Sequence, residues 1–256
     1  MEAQKKPRII VVMPAYNAAL TIKKTVEELP KSFASEIIVV DDHSTDETAQ
    51  VATSLGLTVF KHPKNTGYGG NQKTCYQEAM TLRPDVVVML HPDYQYDASL
   101  LPELVRPILQ GRYDFMFGNR IHSRRGALEG GMPLSKYFFN RLFTALANPL
   151  LGLNLPEYLS GLRAYSSNVL KTIPFKRFSN DFSFDQQFTC SAISFGFRIG
   201  SIPIPTRYYH DSSSIQWKAG LTFGVESVWT LFSLFLHERR VLANPLFNPT
   251  QTASSL

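Results

Sequence analysis

The chain has 256 residues and 28.9 kDa, of which 44% are apolar, 12% aromatic and 18% charged. That composition excludes a disordered segment or a collagen-like fibre and predicts one large globular domain. The net charge of +5 is uneven: residues 1–104 carry 10 basic and 13 acidic side chains, residues 105–177 carry 11 and 3, and the remainder 5 and 5. A basic middle without a Lys/Arg run suits bound phosphate better than nucleic acid, whose binders show a longer basic stripe or a recognisable motif. Cys75 and Cys190 are too few for a disulfide scaffold and lack metal-ligand spacing, which fits a reducing, cytoplasmic setting. The apolar run Ile9 to Met13 is too short for a signal peptide, and Val228 to Leu236 falls short of a bilayer span, so no membrane crossing is expected.

In chain order the pattern alternates. A strand is predicted over Arg8 to Met13, a helix over Leu20 to Leu29, a strand over Ile37 to Val40 and a helix over Thr48 to Leu55. A strand over Leu57 to Phe60, a helix over Asn71 to Leu82 and a strand over Val86 to Leu90 continue it. Runs such as Ile37-Ile38-Val39-Val40 have no polar alternation, as in strands buried on both faces. Strands separated by helices imply right-handed crossovers, hence an α/β fold with a mostly parallel, Rossmann-like sheet covered by helices on both faces. Beyond residue 105 the expected elements are strands over Tyr113 to Phe117, Gly161 to Tyr165 and Phe197 to Ile204, and helices over Lys136 to Leu151, Phe182 to Phe195 and Phe223 to Arg239. Residues 1–215 are assigned to the domain and 216–256 to a C-terminal amphipathic helix and tail. The segment Ile121 to Pro133, rich in Gly and Arg, is the candidate mobile lid.

Ligands in such sheets sit beyond the carboxyl ends of the strands. There the sequence places Pro14-Ala15-Tyr16-Asn17, Asp41-Asp42-His43-Ser44-Thr45-Asp46, Asn65-Thr66-Gly67-Tyr68-Gly69-Gly70 and His91-Pro92-Asp93-Tyr94-Gln95. Alone, each cluster also reads as a cap or a turn; four in series at strand ends point to a site. Asp41 and Asp42 can accept from a base or ribose. If the chain after Leu90 is extended, His91, Asp93 and Gln95 share one face, and that donor set suits Mg²⁺ or Mn²⁺ bridged to phosphates. His91 equally reads as an ordinary strand-end residue. Dinucleotide, P-loop, G-x-S-x-G and H-E-x-x-H signatures are absent.

These clusters, with Gly118-Asn119-Arg120 and Ser160-Gly161-Leu162-Arg163, occur in the order seen in family 2 glycosyltransferases of the GT-A fold. The resemblance covers roughly residues 8–215 and is nearest to the dolichyl- or polyprenyl-phosphate hexosyltransferases. It implies inverting transfer of a hexose from a nucleotide-diphosphate sugar, such as a GDP- or UDP-hexose, with Mg²⁺ or Mn²⁺, to a lipid phosphate. By the resemblance, Pro14, Tyr16, Asn17, Asp41, Asp42, Asn65, Gly67 and Asp93 belong to the nucleotide-sugar pocket, and His91, Asp93 and Gln95 to the metal site. Arg120, Lys136, Arg163, Ser213 and Ser214 fall where the family meets the acceptor phosphate, with Asp93, Arg120 and Arg163 as the catalytic set. His91 stands where the family usually has the first aspartate of its metal motif, and Glu157 where it has an aspartate.

Two other functions stay open: transfer to a sugar hydroxyl, with Asp185 as the available base or merely a solvated helix carboxylate, and nucleotide-sugar binding without catalysis. The stretch Lys136 to Leu151 places Phe138, Phe139, Leu142, Phe143, Leu146 and Leu150 on one arc. That stripe either packs on the core or lies in a bilayer surface. In the second case the protein is peripheral on the cytoplasmic membrane face or bound to a membrane-embedded partner.

Overall fold

The computed structural model describes residues 6–208 and 217–248. The elements in chain order are β1 (Ile9–Ala15), α1 (Ile22–Glu27), β2 (Glu36–Asp41), α2 (Thr48–Ser54), β3 (Thr58–Lys61), α3 (Tyr68–Thr81) and β4 (Val86–Met89). They continue as α4 (Leu101–Leu109), β5 (Phe115–Asn119), α5 (Arg124–Glu129), α6 (Leu134–Leu151), β6 (Arg163–Ser166), α7 (Ser167–Thr172), α8 (Phe184–Ser194), β7 (Ile199–Pro203) and α9 (Trp217–Glu238). The strands form one sheet in the order β3-β2-β1-β4-β6-β5-β7. Strand β6 runs antiparallel to both its neighbours, and every other pairing is parallel. The expected α/β architecture is the one observed.

The period-two geometry of a strand explains the two layers of core. Ile9, Val11 and Met13 of β1 pack with Ile22, Ala52, Leu101 and Leu104, which belong to α1, α2 and α4. Ile10 and Val12 point the other way, to Cys75, Tyr76, Leu170, Phe184 and Phe188 of α3, α7 and α8. Both faces are thus helix-covered, and the polar groups are left to the strand ends.

Several elements depart from expectation. Helix α4 was not expected because Pro102 and Pro107 interrupt its pattern, yet Leu101, Leu104, Val105 and Ile108 are all buried on one face. Pro102 sits in the first turn, where no intrahelical N–H is needed. Helix α3 starts at Tyr68, three residues early, because Gly67 at φ 86° turns the chain and the Gly69 and Gly70 amides donate to the Asn180 carbonyl at 2.6 and 3.2 Å. The candidate lid is not an open loop. Ser123 caps α5 through the Gly126 amide at 3.0 Å, and Ala127 packs with Ile121 and Met132. At the C-terminal end, Leu231 of α9 packs with Phe143 and Tyr158, and Leu234 with Cys190 and Phe247.

Candidate active site at the carboxyl edge of the sheet

The ends of β1 and β2 are stitched together by side chains. Asn17, at φ 50°, donates its amide to Ser44 Oγ at 2.9 Å, and its Oδ1 accepts from the Thr45 amide at 2.9 Å. The Ala18 amide donates to Thr48 Oγ1 and the Ala19 amide to Asp46. Pro14 is buried inside β1, and Tyr16 stands 54% exposed at its end. Two adjacent aspartates then take different parts. Asp42 accepts from His62 Nδ1 at 2.7 Å, the Thr66 amide and hydroxyl at 2.8 Å each, and the Gly67 amide at 3.0 Å. With Asn65 Nδ2 donating to the Asp42 carbonyl, Asp42 shapes the Asn65–Gly67 loop: its Oδ1 is fully engaged, and its Oδ2 accepts from the Gly67 amide alone. Asp41 is fully buried, accepts once, from the Ser44 amide, and keeps a buried Oδ2 without a hydrogen-bond partner, 3.9 Å from Lys61 Nζ. A buried acceptor of that kind at a strand end can take a hydrogen bond from a ligand or a water.

At the end of β4 the chain does not stay extended. Tyr94 adopts φ 60°, so the simple alternation expected for His91, Asp93 and Gln95 does not hold. Asp93 Oδ1 accepts from the Gln95 amide at 3.1 Å, and among the described residues its other oxygen takes no hydrogen bond. His91 is tied to a relay that no motif announced. The Tyr68 hydroxyl donates to Asp185 Oδ2 at 2.6 Å and lies 3.1 Å from His91 Nε2. Because the phenol has one proton and spends it on Asp185, His91 Nε2 must be the donor to Tyr68, which leaves Nδ1 with the free lone pair. Burial, reinforced by Arg163 and Arg120, lowers the His91 pKa against the opposing pull of Asp93 and Asp185, so the ring is neutral at neutral pH. Burial and Asp185 raise Tyr68 well above the ordinary phenol. Gly161 makes room for the ring: a Cβ there would stand 2.7 Å from His91 Nε2.

No group of three or more His, Cys, Asp or Glu among the described residues is placed to cage a metal. The arrangement fits a cation held by few side chains and completed by diphosphate oxygens, the usual manner of Mg²⁺. An imidazole fixed by a hydrogen bond on its far nitrogen is the normal state of a metal-binding histidine. Gln95 is buried beside this pair, and its carbonyl accepts from the Arg207 amide.

The basic residues divide sharply. Arg163 is 1% exposed, donates to the Ser160 and Asp185 carbonyls at 2.8 and 2.9 Å and to Thr189 Oγ1, and lies over the Phe115 ring. These contacts make Arg163 an internal anchor of β6 to α8. Arg120 is paired with fully buried Glu157 at 2.9 Å and donates to the Leu159 carbonyl, while Asn140 of α6 donates to the same Glu157. Lys136 lies over the Tyr208 ring at 5.0 Å. Burial and the nearby Arg120 push its pKa down to about 8 against the opposing charges of Asp93 and Glu157. Lys136 is half-buried on the same side of α6 as Asn140. Asp185 is not a solvated helix carboxylate: it is 13% exposed, and both its oxygens are engaged, by Tyr68 and by Gln72. Ser213 and Ser214 lie outside the described residues.

The chain matches Glycosyl transferase family 2 over residues 10–173. It is 30% identical to an uncharacterised protein of Methanocaldococcus jannaschii over 209 residues, covering 82% of this chain and 85% of that one. It is 28% identical to a UDP-N-acetylglucosamine–dolichyl-phosphate N-acetylglucosaminyltransferase of Methanococcus voltae, covering 78% and 86%. It is 25% identical to an undecaprenyl-phosphate mannosyltransferase of Micrococcus luteus, covering 77% and 82%. Among solved structures, glucosyl-3-phosphoglycerate synthase of Mycobacterium tuberculosis, in complex with Mn²⁺, UDP and phosphoglyceric acid, shares the fold with a TM-score of 0.66 at 20% identity, covering 90% and 78%.

Proposed function

From the premise that the chain belongs to glycosyl transferase family 2, we propose that it transfers a hexose from a nucleotide-diphosphate sugar to a polyprenyl (dolichyl-type) phosphate with inversion. The observation that carries this reading is the gathering at one edge of the sheet of Asp41, with its unpartnered oxygen, at the end of β2, Asp93 after β4 and Arg120 after β5. The relatives from Methanococcus voltae and Micrococcus luteus, named for dolichyl- and undecaprenyl-phosphate, support the acceptor class.

Asp41 accepts from the base or ribose, and the loop held by Asp42 and Asn17 shapes the pocket around it. A Mg²⁺ or Mn²⁺ ion, when bound, neutralises the leaving diphosphate, and Asp93 and His91 are the side chains to hold it. Lys136 draws the acceptor phosphate in, beside Arg120 fixed by Glu157. A phosphate oxygen attacks the anomeric carbon from the face opposite the diphosphate, and the bond to the nucleoside diphosphate breaks. A phosphate monoester is already anionic and needs no strong general base. Asp185 accordingly has a structural part, its oxygens being spent on Tyr68 and Gln72.

The test is incubation with radiolabelled GDP- and UDP-hexoses and either a polyprenyl phosphate or oligosaccharides. Label moving into an organic-soluble, acid-labile product is the expected result. Label appearing only on oligosaccharides would transfer the assignment to a hydroxyl acceptor, and none on either would leave a binding protein.

A further inference from the structure

Helices α6 and α9 present large apolar side chains outward. Phe138, Leu142 and Leu146 of α6 are 63%, 62% and 47% exposed, and Val225, Trp229 and Phe232 of α9 are 70%, 59% and 46% exposed. Their buried positions mix Phe143 and Ala147 with Asn140 and Thr144 on α6, and Leu231 and Leu234 with Ser227, Thr230 and Ser233 on α9. The Ser227 and Ser233 hydroxyls make no hydrogen bond there. The two helices touch at Gly224, where a Cβ would stand 3.3 Å from the Phe139 ring. A helix on a water-facing surface turns polar side chains outward. Small and hydroxylated residues at the contact with large apolar residues outside is how helices pack in lipid.

Neither helix is long and apolar enough to cross a membrane. The exposed face of α6 bears one charge, Arg141, and Glu129 is the single acidic residue against four basic ones between positions 124 and 151. Exposed Arg239 and Arg240 follow α9 directly. We propose that the α6–α9 face rests on an anionic lipid surface, its apolar side chains below the headgroups and these arginines among them. A second copy of the chain is the poorer occupant, since a twofold contact sets this net basic patch against itself. The inference deepens the lipid-acceptor reading and rests on it for its purpose. The opposite side of α6 carries Lys136 and Asn140 into the site, so a phosphate at headgroup depth meets Lys136 without leaving the surface.

Flotation of the full chain with vesicles tests it without sugar donor or acceptor. The protein is expected to float with phosphatidylglycerol–phosphatidylcholine vesicles at low salt, and far less with phosphatidylcholine alone or at high salt. Burying one large apolar side chain is worth enough to change binding about tenfold or more. Phe138→Glu with Trp229→Glu should therefore lower vesicle binding by at least that factor while sparing transfer to a short, water-soluble prenyl phosphate. Both side chains are exposed, so circular dichroism should be unchanged. No flotation of the parent, or undiminished flotation of the variant, overturns the proposal, as does a dimer that the same variant disperses. Loss of transfer to the soluble acceptor by the parent, with flotation intact, would count against the proposed reaction instead.

Discussion

Lys136 has the side chain whose chemistry is most directly testable. Its ordinary pKa of 10.5 is brought to about 8 by burial and by Arg120. Since kcat/KM reports the free enzyme, kcat/KM for the acceptor should fall as pH rises through about 8, where the ammonium that receives the phosphate is lost. Lys136→Arg keeps a charge at every accessible pH and should move that alkaline limb out of range; an unmoved limb would assign it to another group. Stability carries the opposite sign. Between about 8 and 10.5 the folded chain sheds a proton that the unfolded chain keeps, so Lys136 makes the fold relatively more stable as pH rises through that window. A second test concerns Tyr68, which touches no ligand in the proposed reaction but fixes the His91 tautomer from 3.1 Å. Tyr68→Phe removes that hydroxyl. Mn²⁺ binding followed by electron paramagnetic resonance with a nucleoside diphosphate present should weaken by roughly 10- to 100-fold, with metal-free nucleotide binding unchanged. Unaltered Mn²⁺ affinity would separate the relay from the metal site.

At the scale of elements, the loop between β3 and α3 depends on Asp42. Asp42→Ala removes the acceptor for His62, Thr66 and Gly67 and should cost about 1.5–3 kcal/mol for each charged hydrogen bond not replaced by water. Hydrogen exchange should show the Thr66 and Gly67 amides losing protection while the central strands keep theirs; protection left intact would mean that Asn65 and the glycine turn hold the loop unaided. Asp41→Asn should do the reverse, sparing the loop and weakening nucleotide binding. This division marks what the sequence made legible. Parallel strands buried on both faces read as unbroken apolar runs, so β1, β2 and β4 and the polar clusters at their ends could be found from residue order alone. Which of two neighbouring aspartates keeps an unpartnered oxygen could not, because donors from His62, Thr66 and Gly67 reach Asp42 only once β3 has paired with β2. The relay from Tyr68 to Asp185 joins residues 117 positions apart and has no local signature. Charge counting placed the basic excess correctly in residues 105–177 but could not tell Arg163, sealed behind Phe115, from Lys136. The helical stripe of α6 was legible as a stripe; that only Phe143 of its six members would be buried depended on the packing of α9.

For the whole molecule, one sheet edge gathers groups from β1, β2, β4, β5, α3, α6 and α8, so a ligand bridging them should be felt by global stability. A ligand that binds only the folded state stabilises it by about 2.7 kcal/mol at a hundredfold excess over its dissociation constant. For a chain of this size each kcal/mol raises Tm by roughly 2–4 °C. A nucleoside diphosphate with Mn²⁺ should thus raise Tm by roughly 5–10 °C at that excess, and the preferred base should emerge from comparing GDP with UDP. The metal-dependent part of the shift should vanish in Asp93→Ala if Asp93 shares a cation with the diphosphate, as proposed. The part that persists without metal should depend on Asp41, whose buried oxygen awaits a donor. If Mn²⁺ adds nothing in the parent, the cation does not bridge protein and nucleotide, and Lys136 and Arg120 would then have to balance the leaving group's charge. Equal shifts in the parent and Asp93→Ala would put the cation on other oxygens. Absence of any shift with either nucleotide would remove the nucleotide pocket itself, and with it the reason for four polar loops to meet at one edge.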